Sequence, residues 1–208
     1  MNKRKIQGNI LIVLGLLCFI GAGLYYLHNA MESKRAYESS MIAREALIEE
    51  ISREHQIDLN PDILNRTMET VEVDGIKYIG LIEVPDLNIS LPVIEYWSED
   101  YLKIAPCRFS GSYYRDDLVL CAHSYVSHFR PLRNIPMGAD VYFTTVTGEV
   151  YHYVVTYTET IYPNEKDKMI INDINDDMIN DWDLTLFTCT ADMQARHTVR
   201  CERIDDSN

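Results

Sequence analysis

Residues 6–27, IQGNILIVLGLLCFIGAGLYYL, form a run of 22 positions without a single charge. As a helix rising 1.5 Å per residue, such a run is about 33 Å long, enough to cross a hydrocarbon core of about 30 Å. Lys3, Arg4 and Lys5 precede it, and positive residues beside a span stay on the cytoplasmic side. The expected topology is therefore a single pass with a cytoplasmic N-terminus and the body outside. Tyr25 and Tyr26 fall where an aromatic belt lies at the far interface. A cleaved signal peptide has the same outline, and Gly21-Ala22-Gly23 offers small residues for cleavage. The apolar run is long for a signal peptide, however, and no small-x-small site follows Leu27. An uncleaved anchor is expected, with Cys18 in lipid as a small hydrophobe.

The whole chain has 208 residues, enough for one domain besides the anchor. Its 47% hydrophobic and 25% charged residues are ordinary for a globular protein, and exclude a disordered tail or a polytopic membrane protein. Net charge is −13, and the three basic residues of the tip face no acid before residue 28. The rest therefore holds 16 basic against 32 acidic residues, or −16. A body so acidic repels phosphate backbones, so no nucleic-acid partner is expected. The five cysteines, Cys18, Cys107, Cys121, Cys189 and Cys201, are odd in number and form no close CxxC pair. That fits neither a disulfide framework nor a zinc ribbon and leaves at least one thiol free.

Residues 28–57 are rich in Ala, Glu, Met, Arg and Leu and hold neither Gly nor Pro. AREALIEEISREH has helical spacing of apolar residues with Glu and Arg neighbours, which predicts a charged juxtamembrane helix acting as a spacer. The Asn60-Pro61 step should interrupt or restart it. From residue 78 the pattern changes to short β-rich runs at 78–84, 89–94, 118–122, 140–144, 149–157, 184–188 and 198–204. Pro85-Asp86, Gly111-Ser112 and Thr147-Gly148 supply turns between them, the last as the tip of a hairpin. Short helices are expected only at 98–103 and 169–182. Strands at this spacing favour a barrel or sandwich over a parallel α/β sheet.

Three chemistry-bearing residues stand at expected strand ends. Cys189 closes the run Leu184-Thr185-Leu186-Phe187-Thr188, His123 closes Leu118-Val119-Leu120-Cys121-Ala122, and Arg196 precedes the last strand. A thiolate can attack a carbonyl, an imidazole can move protons and a guanidinium can hold an oxyanion, which together suit acyl transfer.

The segment Thr185-Leu186-Phe187-Thr188-Cys189, followed by Arg196 and Val199-Arg200-Cys201-Glu202-Arg203-Ile204, resembles the TLxTC…R signature of sortases. Leu118-Val119-Leu120-Cys121-Ala122-His123-Ser124 is similar to the strand and histidine of that family, and residues 79–85 and 89–93 to its opening strands. The likeness covers residues 76–205 in the family's order. It implies a mainly β fold, an eight-stranded β-barrel, with domains at 1–27 (tip and anchor), 28–70 (helical stalk) and 71–208 (catalytic barrel). It also implies a cysteine transpeptidase on the outer surface of a Gram-positive cell, acting without a cofactor. Such an enzyme cleaves a C-terminal sorting signal, often LPxTG-like, and joins the new end to an amine of cell-wall precursor or pilin. Carried onto this chain, Cys189 is the nucleophile, His123 the acid/base, Arg196 the oxyanion or carbonyl donor, and Thr188 a lining residue of the substrate site.

Rivals for these roles exist. His128 follows His123 by five residues; His197 adjoins Arg196, and strand alternation sends the two to opposite faces. Arg200 and Arg203 are alternative guanidiniums. Cys107–Cys121 and Cys121–Cys201 are both conceivable disulfides. The acidic stretch with Asp173, Asp176, Asp177, Asp181 and Asp183 fails the EF-hand pattern, having Met178 and Leu184 where Gly and Glu are needed, so no metal site is assigned. The insertion before Leu184 is somewhat like that of class B sortases, and neither a C-terminal hydrophobic segment nor an Asp-Pro-aromatic lid of the class C kind is apparent. Subclass stays open.

Overall fold

The computed structural model describes residues 3–51, 66–169 and 182–204. Its first element, α1 (Lys3–Ile51), is one unbroken helix about 73 Å long, so anchor and charged segment form a single rod. The two parts differ in what covers them. In the apolar part the side chains stand free, Leu11 at 67% and Phe19 at 84% exposure. Further on, Ala36, Ser40, Ala43 and Leu47 are buried. Steps of four, three and four residues align them in one stripe, and the helix lies along the first three strands of the body, Val71–Val73, Ile76–Val84 and Ile89–Ile94. Arg44 fastens it by donating from Nε to Ser90 Oγ at 2.8 Å, and Ser90 in turn donates to Glu83. Residues 36–51, within the helical stalk expected from the sequence, thus pack on the body. Small residues make the buried stripe, so it is inconspicuous beside the Glu and Arg of the solvent face. The Asn60-Pro61 step lies outside the described residues, as does nearly all of the helix expected at 169–182.

The body is built from β1 (Val71–Val73), β2 (Ile76–Val84), β3 (Ile89–Ile94), β4 (Cys107–Ser110), β5 (Leu118–Cys121), β6 (Asp140–Thr145), β7 (Val150–Ile161), β8 (Leu184–Cys189) and β9 (Arg196–Arg203). Hydrogen bonding runs in the order β1-β2-β3-β4-β5-β8-β9-β7-β6, and β6 pairs back with β2. Eight strands therefore close into a barrel, as the sequence led one to expect, with β1 a short addition to β2. Among the described residues only β3–β4 and β5–β8 are parallel. Closure brings β6 hard against β2 at Gly80, the partner of Thr145. A Cβ there would lie 2.2 Å from the Thr144 carbonyl oxygen, so only glycine lets the strands meet. The expected hairpin at Thr147-Gly148 joins β6 to β7, and Gly148 takes the turn's positive φ of 84°.

Two apolar layers sandwich the wall. Ile82, Leu91, Leu118, Leu120, Phe143, Leu184, Leu186, Val199 and Cys201 fill the barrel. Tyr78, Leu81, Ile94, Cys107, Val119, Cys121 and Phe187 form an outer layer, over which Ala43 and Leu47 of α1 sit. Strands β5 and β8 are covered on both faces, which is why LVLC and LTLFTC are nearly continuous in apolar residues.

Candidate active site

Strands β5, β8 and β9 lie side by side, and their ends form the site. In the antiparallel β8–β9 ladder Arg196 is the direct partner of Cys189, which sets their Cα atoms about 4.5–5.5 Å apart. In the parallel β5–β8 ladder Cys121 is level with Phe187, and the Ala122 N–H donates to the Phe187 carbonyl at 3.2 Å. Two residues further along both chains stand His123 and Cys189. Val119, Cys121 and Phe187 belong to the outer layer, so the alternation carries His123, Cys189 and Arg196 onto the same outer face. Each is partly exposed.

Burial separates Cys189 from the other thiols of the body. Cys107, Cys121 and Cys201 are buried, while Cys189 is half-exposed. Loss of solvent pushes the Cys107 thiol up to about 12 and raises Cys121 and Cys201 as well, holding all three as inert thiols. Cys107 faces Cys121 across β4–β5, whereas Cys201 lies on the other side of the wall, inside the barrel. That separation leaves Cys107–Cys121 as the one facing pair of the two considered.

Two other histidines differ from His123: neither ring nitrogen of His128 has a partner among the described residues, and His197 is engaged elsewhere. His128 is fully buried, and burial first, then the neighbouring His123, pushes it down to about 4. It stays neutral and out of reach of substrate. His197 pairs with Thr188 and engages the Leu132 carbonyl through Nε2 at 3.1 Å. His123 is itself lowered, mainly by burial, against the pull of Glu99 and of Glu32 on α1. Tyr125 packs beside it with ring centroids 5.1 Å apart.

Of the arginines, Arg196 makes a single side-chain hydrogen bond among the described residues, from Nη1 to the Ala195 carbonyl at 3.2 Å. Arg200 is buried and fully engaged: it donates to Glu159 Oε1 at 3.0 Å, to Thr185 Oγ1 at 2.8 Å and to the Lys168 carbonyl, and stacks on Trp182. Arg203 is held by Asp116 at 2.8 Å. Thr188 is also buried, and its hydroxyl donates to the Ala122 carbonyl at 2.9 Å. Where the sequence suggested a substrate-lining role, Thr188 ties β8 to β5 beneath the site. Its place one residue before Cys189 turns it to the inner face.

Two features escaped the sequence. An aromatic series starts at Phe187, continues edge-on to Phe109 at 5.3 Å and reaches the half-exposed Trp97 at 5.9 Å. It forms an apolar wall near the thiol, assembled from three separate segments with no shared spacing. The second is the 3-10 helix Arg130–Asn134, whose arginines bond to Ser124, three residues past β5, and to Cys189 at the end of β8.

Comparison with known proteins agrees with this architecture. A sortase-domain family model matches residues 82–204, which is 123 of the 208 residues. Sortase C1 from Streptococcus suis is 25% identical with a TM-score of 0.52, covering 62% of this chain and 74% of its own. Sortase C from Clostridium perfringens, solved with a C-terminal cell wall sorting motif, is 26% identical with a TM-score of 0.53, covering 78% of this chain and 90% of its own. A sortase D5 transpeptidase, also from Clostridium perfringens, shares the fold at 17% identity and a TM-score of 0.58, covering 83% and 99%. Among curated proteins nothing matches. With the family model spanning more than half its length and the closed barrel to carry it, the chain belongs to the sortase family of cysteine transpeptidases.

Proposed function

We propose that this protein is a membrane-anchored transpeptidase that cleaves a C-terminal sorting signal of surface proteins and transfers the acyl group through Cys189 to an amine of the cell wall or a pilin. The observation that carries this reading is the direct pairing of Cys189 with Arg196 on β8–β9, with His123 at the end of the adjacent β5. The Cys189 thiol passes its proton to His123, and the resulting thiolate sulfur attacks the carbonyl carbon of the scissile peptide bond. Charge gathers on the carbonyl oxygen, and the Arg196 guanidinium donates to it. The C–N bond breaks, His123 supplies the proton that the leaving amine needs, and a thioester remains on Cys189. An incoming amine then attacks the thioester carbonyl, gives its proton to His123, and returns Cys189 as its thiolate. The apolar wall from Phe187 to Trp97 gives an apolar signal segment something to pack on beside the thiol. Residues 6–27 hold the enzyme at the membrane, with the body outside and the N-terminus in the cytoplasm.

Product analysis by mass spectrometry tests the reading: the full chain in detergent is given a pool of LPxTG-type peptides with and without an added oligoglycine amine. Amine-joined product is expected. Cleavage that never incorporates the amine would make the protein a hydrolytic cysteine peptidase. Absence of both cleavage and a covalent peptide adduct would make it a non-catalytic surface domain.

A further inference from the structure

The segment after His123 turns through Phe129 and Leu132, both fully buried in the barrel core, and forms the 3-10 helix Arg130–Asn134 between and beyond them. A short helix rooted in this way is a rigid mount. From it Arg133 donates through Nη2 to two acceptors, the carbonyl oxygen of Cys189 at 2.6 Å and the hydroxyl of Ser124 at 2.6 Å. One nitrogen with two protons therefore bridges the end of β8 and the residue that follows His123. Arg130 adds a second tie, from Nε to the Ser124 carbonyl at 2.9 Å. His197 Nε2 lies 3.1 Å from the Leu132 carbonyl and holds β9 to the same helix. These bonds lie beyond the last ladder pairs of β5, where regular strand pairing no longer sets the spacing of the two chain ends.

We propose that Arg133 is a positioning residue for acyl transfer: its guanidinium clamps the Cys189 backbone to Ser124 and so fixes the approach of the Cys189 thiol to the His123 imidazole. The proposal rests on the assignment of Cys189 and His123 as the reacting pair. A guanidinium suits the task because it stays charged at all working pH values and its bonds to neutral acceptors are charge-assisted. The clamp touches neither reacting side chain nor the proposed apolar wall. Its loss should therefore show in the chemical step and not in substrate binding, and misplacement of reacting groups by about 1 Å can cost up to a hundredfold in rate.

The test compares Arg133→Met, which keeps the stem and removes the donors, with Arg133→Lys, Ser124→Ala and Cys189→Ala, all as full chains in detergent with one peptide and one amine. Arg133→Met should lower kcat about ten- to a hundredfold with KM within about threefold. Arg133→Lys should recover most of the loss, and Ser124→Ala, which removes one acceptor, should lower kcat by a few-fold with unchanged melting. Near-normal kcat in Arg133→Met overturns the clamp. So does a kcat loss that Arg133→Lys fails to recover and that tracks a fall in Tm, because the role is then one of stability alone. If Arg133→Met does not fold, Ser124→Ala and Arg133→Lys decide, and normal kcat in both overturns the proposal. A Cys189→Ala chain that still transfers peptide removes the underlying assignment; a dead Cys189→Ala chain beside a normal Arg133→Met chain removes only the clamp.

Discussion

Arg196 and Arg200 stand on the same face of the same strand, four residues apart, each opposite a residue of β8, Cys189 in one case and Thr185 in the other. Arg200 is 0% exposed and spends its donors on Glu159, Thr185 and Lys168. Arg196 is partly exposed, and among the described residues its side chain hydrogen-bonds only to the Ala195 carbonyl. The same residue type thus serves the fold at one end of the ladder and is left available at the other. The histidines and cysteines divide likewise, His128 against His123 and Cys121 against Cys189. Availability, and not residue identity, marks the candidate site.

The sharpest way to break this contrast is a rate measurement on the two arginines. Arg196→Ala should lower turnover roughly a hundred- to a thousandfold, about 2.7–4 kcal/mol, as removal of an oxyanion donor does. Arg196→Lys keeps the charge but not the planar fork and should fall between. Its thermal unfolding should match the parent protein. Arg200→Ala should show the reverse: turnover of the folded protein within a few-fold of the parent, but stability lower by about 3 kcal/mol. Breaking a buried pair costs about 3–5 kcal/mol, and the lower end applies because Glu159 keeps 21% of its side-chain surface in water. A dead, stable Arg200→Ala enzyme beside an active Arg196→Ala enzyme would exchange their roles.

The histidine contrast gives a pH dependence. His128 is held at about 4 in the fold, while an unfolded histidine titrates near 6.5. Between these values the unfolded chain binds a proton that the folded chain does not, so stability is full above about 6.5 and falls as pH drops toward about 4. The total is about 3–4 kcal/mol at most. Thermal melts from pH 7 to 4 should show the slope, and His128→Gln should flatten it. An unchanged slope in that variant would mean another group is responsible. The smallest effects are expected for Cys121→Ala and Cys201→Ala, at about 1–2 kcal/mol of stability with turnover preserved, as for other small truncations. Loss of turnover in either, with normal melting, would move the nucleophile away from Cys189.

How much of this was legible in the sequence depended on the reach of the forces involved. Strands β3, β5 and β8 stood out because both faces are covered, which makes ISLPVI, LVLC and LTLFTC compact apolar runs. The ends of those runs are where the candidates Cys189 and His123 stand. β4 was missed because CRFS is four residues long and carries no periodic apolar pattern. The packing of α1 on the barrel was missed because Ala36, Ser40 and Ala43 make close contact through smallness, which hydropathy does not register. The buried bond of Thr188 to the Ala122 carbonyl was not legible, since one step along a strand reverses the face. Arg133 could not be read at all: its acceptors lie 9 and 56 residues away, and only the closed barrel brings them together.

The central claim, that Cys189 is the available thiol of an acyl-transfer site, meets its most direct test in peptide mapping of the acyl-enzyme. The full chain is incubated with the LPxTG-type peptide pool, quenched in acid and digested, and the adduct is located by mass spectrometry. The account predicts a thioester on the fragment containing Cys189, discharged when an amine is added before the quench. An adduct on Cys107, Cys121 or Cys201 instead would contradict it.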